Sequence, residues 1–243
     1  MNQDKLALDV QSVSKMFGRR QILTDISFTL RTGEFLLIVG PNGAGKTTLL
    51  KILATLLSPG SGDAFVSGFS VKKNPTKVRE RIGFISHNHL LYRDLTTYEN
   101  LKFYGEMYGV KDLDARIDEL LNMVELNHRR YDTVRNFSRG MFQRLAIARA
   151  LLHKPEIMFL DEPHTGLDPH AVDILDGMMR DMSSTTTFVM VTHHIESTLS
   201  LGTQALILDE GKIQYCSDTG IDLERFRSIY GKVCGRGIEH DCD

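Results

Sequence analysis

Three features are scarce in this chain, and each scarcity narrows what it can be. Cysteine occurs only at Cys216, Cys234 and Cys242. An odd number at irregular spacing is not a disulfide framework, and free thiols in a reducing compartment are expected. Excess basic charge is missing: 29 Lys and Arg stand against 31 Asp and Glu, a formal net charge of −2. No basic run exceeds Arg129-Arg130 or Lys72-Lys73, so no nucleic-acid partner is expected. A long apolar run is missing as well. The opening residues MNQDKLALDV lack a signal-peptide core, and no stretch reaches the ~18–20 residues of a membrane-spanning helix. The expected location is cytoplasmic, with any attachment to the inner face of the cell membrane made through partner subunits.

What is present is a patterned apolar content of 42%, enough for a sizeable core. Ile22, Thr24, Ile26, Phe28 and Leu30 share one parity, the period of a half-buried strand. Phe35–Val39 is a continuous apolar run, as are 157–160, 188–191 and 205–208; such runs suit strands buried on both faces of a parallel sheet. Between them lie helical periods. Leu49, Leu50, Ile52, Leu53, Leu56 and Leu57 form one stripe, ended by Pro59-Gly60-Ser61-Gly62. Thr96-Thr97-Tyr98-Glu99 reads as a capping box ahead of Leu101, Tyr104 and Tyr108. Ile117, Leu120, Leu121 and Val124 make another apolar face. Strands alternating with helices predict an α/β parallel sheet. The stretch near 90–137 reads as helices only, an insertion into that sheet. The tail from about 216 is polar and carries no readable pattern.

The chemistry starts at Gly40-Pro41-Asn42-Gly43-Ala44-Gly45-Lys46-Thr47, a full G-x-x-x-x-G-K-[ST] motif between a buried strand and an amphipathic helix. Glycines let backbone N–H groups turn inward around phosphate oxygens. A helix starting near Lys46 points its free N–H groups at the same anion. In this motif Lys46 reaches the β- and γ-phosphates and the Thr47 hydroxyl reaches Mg²⁺, with Thr48 next to it in the nucleotide shell. Downstream, Ile157–Leu160 runs into Asp161-Glu162. An acid at the C-terminal end of a buried parallel strand lies where open α/β sheets bind ligands. Asp161 is the expected Mg²⁺ partner and Glu162 the group that orients and deprotonates the attacking water.

Further segments resemble one family. Phe137-Ser138-Arg139-Gly140-Met141, followed by 142–150, is similar to the signature motif and helix of ABC ATPases. Leu160–Asp168 resembles that family's Walker B strand running into the D-loop, and Val191-Thr192-His193-His194 resembles its switch-histidine segment. Phe17 stands where the family stacks an aromatic on adenine. The likeness covers about 7–215. It implies a P-loop NTPase (RecA-like) core with an antiparallel β subdomain over 1–87 and 138–215, an inserted α-helical subdomain over 88–137, and a C-terminal tail over 216–243. It further implies ATP and Mg²⁺ as cofactors and head-to-tail ATPase subunits, as a homodimer or heterodimer, coupled to integral membrane transporter subunits. Each ATP would lie between the phosphate loop of one copy and Ser138, Arg139 and Gly140 of the other; His193 would meet the γ-phosphate and the attacking water, and Asp168 would couple the two sites. Ser138 also reads as the N-cap of the helix that follows.

Two departures stand out. The signature usually reads Gly-Gly-Gln where this chain has Arg139-Gly140-Met141, and the glutamine expected after Ile82–Ser86 is replaced by His87, with Asn88 next; either can supply the Mg²⁺ contact. These segments are similar to the ATPase of the cytochrome c maturation haem exporter, and exporters of drugs, polysaccharides or ions share much of the pattern. A soluble ABC ATPase, such as one serving iron–sulfur assembly, is the competing class, and a nucleotide-dependent switch with little turnover is a third. The His87/His89 pair, His193-His194 and His240-Asp241-Cys242 each lack a full zinc ligand set. Met107, Met123, Met141, Met158, Met179 and Met190 read as core or interface filler.

Overall fold

The structure, a computed structural model, describes residues 5–86, 90–183, 185–193, 195–217 and 220–235. In chain order its elements are β1 (Leu6–Phe17), β2 (Arg20–Arg31), β3 (Phe35–Val39), α1 (Lys46–Leu53), β4 (Ser61–Val66), β5 (Phe69–Ser70) and α2 (Pro75–Arg79). Next come β6 (Ile82–Ile85), α3 (Thr97–Met107), α4 (Leu113–Met123), α5 (Arg139–Leu151), β7 (Ile157–Asp161) and α6 (Pro169–Met182). The chain closes with β8 (Thr187–Val191), α7 (Ile195–Thr198), β9 (Gln204–Asp209), β10 (Lys212–Cys216) and α8 (Leu223–Cys234). It forms two compact units: residues up to Arg79 together with those from Thr187 onward, and Glu80–Thr186.

The first unit holds an antiparallel sheet in the order β2-β1-β4-β5 and a parallel set in which β3 lies between β8 and β9, with β10 antiparallel on β9. All five residues of β3 are buried, as a continuous apolar run requires of a central parallel strand. The alternation read in β2 holds from Ile26 onward and slips before it. Leu23, not Ile22, is the buried residue of the first half. Asp25 carries φ +52 opposite a register shift in β1, and one irregular residue in a period-two strand swaps its faces.

The apolar stripe after Lys46 overstates its helix. α1 ends at Leu53, Thr55 takes a left-handed φ of +60, and Leu56 is left half exposed, so the last leucines lie outside the helix. Within the tail read as unpatterned, residues 223–234 by contrast form a helix, α8. Asp222 caps α8 by accepting from the Arg225 N–H at 3.0 Å, and Phe226 is fully buried among Val39, Ile195, Ala205, Ile207 and Tyr215. Ile229, Tyr230 and Val233, partly buried, pack against the same cluster, so Phe226 and these three form an apolar stripe at helical spacing that the sequence reading passed over.

In the second unit β6 and β7 pair in parallel from Ile82↔Ile157 to Ile85↔Leu160. The capping box at α3 is complete: Thr96 accepts from the Glu99 N–H, and Glu99 accepts from the Thr96 N–H at 2.8 Å. Leu101, Ile117, Leu120, Leu121 and Val124 are fully buried, so the apolar faces of α3 and α4 point inward as read. Met158 and Met179 are core residues, whereas Met107 is exposed. Free thiols are present at Cys216 and Cys234.

Behind β6, the His153 ring stacks on Tyr108 (centroids 4.0 Å apart, 7° between planes), and its Nε2–H donates to the Ile82 carbonyl at 2.9 Å. Burial, aided by Arg149 and Arg116, holds its pKa below the usual value, against the opposing pull of the Ile82 carbonyl. The unfolded chain therefore binds a proton first. This contribution to stability is complete above about pH 6.5 and is lost as pH falls towards the folded-state pKa. His153→Phe keeps the stack and abolishes the titration. We expect its melting temperature to fall less than that of the wild type between pH 7.5 and pH 5 in paired thermal melts; an equal fall in both would show that His153 plays no part.

Candidate nucleotide-binding site

The phosphate-loop motif lies in the first unit, between the end of β3 and the start of α1. Gly40 takes φ +143, and a Cβ there would overlap the Leu208 carbonyl oxygen of β9, so only glycine lets the loop leave β3. Ala44 is buried and its N–H donates to the Pro41 carbonyl at 3.2 Å, which closes the loop; Asn42 and Gly43 are exposed at its tip. Gly45 is the N-cap of α1, with no side-chain cap and no acid in the first turn, so the backbone end presented there is electropositive. Thr47 and Thr48 follow in that turn, both partly buried. Lys46 is 8% exposed, and its ammonium donates to the carbonyls of Gly40 at 2.6 Å and Pro41 at 3.0 Å. A buried ammonium with N–H donors behind the same loop is a site for a multiply charged anion.

His193 follows β8, which pairs with β3 through Ile38↔Val191. His193 and the loop therefore leave the C-terminal ends of adjacent parallel strands, the edge where such sheets bind ligands. Phe17 closes β1 with its ring half exposed and Lys15 Nζ 5.2 Å from the ring centroid. An open aromatic face is what a base can stack on.

The second unit holds the carboxylates and the signature segment. Asp161 ends β7 and is 2% exposed; Glu162 follows, partly buried, with φ +54. A left-handed glutamate is held at a cost of roughly 1–3 kcal/mol, the kind of strain that marks functional turns. The Thr47 hydroxyl in the first unit and the Asp161 carboxylate in the second are each hard oxygens of the type Mg²⁺ prefers. His87 and Asn88 lie outside the described residues, as do His89, His194, His240 and Cys242.

Ser138 caps α5, accepting from the Met141 N–H at 3.3 Å, and no acid occupies that helix's first turn. The helix end opens onto a cleft lined by Arg93, Arg135, Arg139 and Thr165, a cationic surface. Gly140 is buried for a packing reason: a Cβ would stand 2.9 Å from Asp168 Oδ2. Asp168 also caps α6 through the Ala171 N–H at 3.0 Å. Arg139, the departure from Gly-Gly-Gln, lies against Gly166. Buried Gln143 donates from its amide to the Pro163 carbonyl at 3.1 Å. The signature segment and the 162–168 turn are thus joined at three points. Gln143, like His164 and Asp176 beyond it, went unnoticed in the sequence because these are contacts between distant residues with no spacing of their own; the one local signal was position, His164 being two residues past Glu162.

A family model described as ABC transporter matches residues 23–165. The chain is 35% identical over 225 residues to a linearmycin resistance ATP-binding protein of Bacillus subtilis (strain 168), covering 88% of this chain and 72% of that protein. It is 35% identical over 210 residues to a daunorubicin resistance ATP-binding protein of Streptomyces coeruleorubidus, covering 85% and 66%. Among solved structures, a dimeric ATP-binding cassette in a post-hydrolysis state bound to ADP and Pi superposes with a TM-score of 0.79 at 27% identity, covering 86% of this chain and 97% of that one.

Proposed function

Because this chain belongs to the ABC transporter family of ATP-binding proteins, we propose that it is the ATP-hydrolysing subunit that powers export of a small molecule through membrane subunits of separate sequence. Its fold is that of the ABC ATPases, and its reaction is hydrolysis of ATP to ADP and phosphate with Mg²⁺. The observation that carries the reading is the pair of helix N-termini, α1 starting at Lys46 and α5 capped by Ser138, neither with an acid in its first turn and each therefore suited to an anion.

In this reading Phe17 stacks on adenine, and the backbone of residues 40–45 with Lys46, Thr47 and Thr48 holds the triphosphate. Thr47 and Asp161 hold Mg²⁺, assisted by His87 or Asn88. The metal, when bound, offsets charge on the phosphate oxygens. Glu162 takes a proton from the attacking water and His193 orients it against the γ-phosphate. Ser138, Arg139 and Gly140 of a second copy close over the same nucleotide, with Asp168 joining the two sites. ATP binding then favours the closed pair, and loss of phosphate releases it. The helical segment 88–137 grips the membrane subunit. Among the described residues no helix is long and apolar enough to cross a membrane.

Export of an antibiotic-like molecule is favoured by relatives named for linearmycin and daunorubicin resistance. Haem export is a second reading, carried by the wording of residues 85–92 and 137–141 alone. Purification of the tagged chain from detergent-solubilised membranes tests the proposal. A multi-spanning membrane protein recovered with it is the expected result, and that protein's kind separates drug export from haem export. Recovery with a soluble iron–sulfur scaffold from the cytosolic fraction, and with no membrane protein, would overturn it.

A further inference from the structure

His164 and Asp176 form a buried pair to which the proposed hydrolysis assigns no part. They are 8% and 9% exposed, and His164 Nε2 lies 2.8 Å from Asp176 Oδ1. With Asp176 as acceptor, Nε2 carries a proton, and buried Nδ1 has no hydrogen-bond partner among the described residues. A well-packed apolar pair could fill this space at no loss of stability. Stability therefore does not account for a polar pair here, and its place in the chain suggests what does.

His164 is two residues beyond Glu162, in a turn closed by the Thr165 N–H on the Glu162 carbonyl (3.2 Å) and the Leu167 N–H on the His164 carbonyl (3.1 Å). That turn has three anchors. Gln143 of α5 holds the Pro163 carbonyl, Asp168 holds the first turn of α6, and His164 reaches Asp176, a full turn further along α6. The first fixes one backbone oxygen and the second fixes the far end. Only the third ties a side chain of the turn to the body of a helix. We propose that His164, through Asp176, is a positioning residue that keeps Glu162 in its left-handed conformation and so aims its carboxylate for proton transfer. Without that tie the backbone at Glu162 relaxes towards negative φ, and the carboxylate moves off line. Nucleotide affinity, which rests on the loop at 40–47, is left intact. The inference rests on the reading of Glu162 as the group that activates water.

The test compares His164→Leu with His164→Gln, whose amide N–H can replace Nε2–H, and Asp176→Leu with Asp176→Asn, whose Oδ1 still accepts. Steady-state ATPase kinetics and thermal melts are measured on the full chain. Both leucine variants should lower kcat by about 10–100-fold at unchanged KM for ATP, the cost of a misplaced group. The Gln and Asn variants should recover most of kcat, and His164→Leu combined with Asp176→Leu should be no slower than either alone. A wild-type kcat in either leucine variant overturns the proposal. So does a kcat loss that follows the melting temperature across the set, because it would mark a structural role. If a leucine variant fails to fold, the other pair decides by the same criteria. Glu162→Gln, run alongside, keeps the two readings apart. Its normal turnover would remove Glu162 from catalysis whatever His164 does, whereas an inactive Glu162→Gln beside a fully active His164→Leu defeats the positioning role alone.

Discussion

Glu162→Gln should bind Mg·ATP as the wild type does, release phosphate at least about 10²-fold more slowly, and accumulate as an ATP-bound dimer. The substitution removes little but basicity. Glutamine has the volume of glutamate and keeps a carbonyl oxygen where the carboxylate stood, so the turn from Glu162 to Leu167 retains its backbone bonds. A positioned general base contributes typically 10²–10⁴-fold, and the amide cannot take a proton at all. Loss of one negative charge beside buried Asp161 also eases like-charge repulsion and does not weaken the bound triphosphate. Phosphate release, equilibrium ATP binding and size-exclusion chromatography with and without ATP read the three effects separately. Turnover within a few-fold of wild type would assign water activation elsewhere, and the nucleotide-switch reading would gain if the wild type itself turned over no faster.

Where the fold follows from local chemistry, it is legible in the sequence. Five consecutive apolar residues at Phe35–Val39 permit little but a strand covered on both faces, and each of the five is buried. The Thr96 and Ser138 caps are written in residue types that satisfy free N–H groups, and both form as read. Legibility failed where one residue decides. Asp25 shifts the parity of β2, and Thr55 ends α1 two residues short of a leucine pair that continues its stripe. Periodicity averages over a window, and a single left-handed residue disappears in the average.

The site divides in the same way. The loop at 40–47 and the acids at 161 and 162 are legible because spacing along one segment sets their geometry. The closeness of Gly140 to Asp168, of Arg139 to Gly166 and of Gln143 to Pro163 is set by how α5 meets the turn after β7, across roughly 20 to 28 positions of sequence. That packing gives Gly140 a role the motif alone does not convey: it makes room for the Asp168 carboxylate as well as leaving the helix end open. A variant at Gly140 therefore disturbs two functions together and is a poor probe of either.

Lys46→Ala is the cleaner probe of the anion site, and it should abolish detectable ATP binding and turnover while leaving the fold as stable as before. The expectation has two parts with opposite signs. Charge-assisted hydrogen bonds to phosphate contribute about 1.5–3 kcal/mol each, and an ammonium that reaches two phosphates loses roughly 3–6 kcal/mol of binding on truncation, a factor of 10² to 10⁴ in affinity. The folded chain, on the other hand, holds this ammonium at 8% exposure, satisfied by the Gly40 and Pro41 carbonyls at 2.6 and 3.0 Å. Its removal costs those two bonds and relieves the desolvation of a buried cation, terms of similar size. The melting temperature without nucleotide should then stay within a few degrees of wild type, and the rise that Mg·ATP produces in the wild type should vanish, since a ligand stabilises only the state that binds it. Thermal melts with and without Mg·ATP measure both parts in one experiment. A variant that still gains stability from Mg·ATP to the wild-type extent would place the triphosphate away from the 40–47 loop; one that unfolds without nucleotide would show that Lys46 holds the loop together through the two carbonyls and does not wait for the anion.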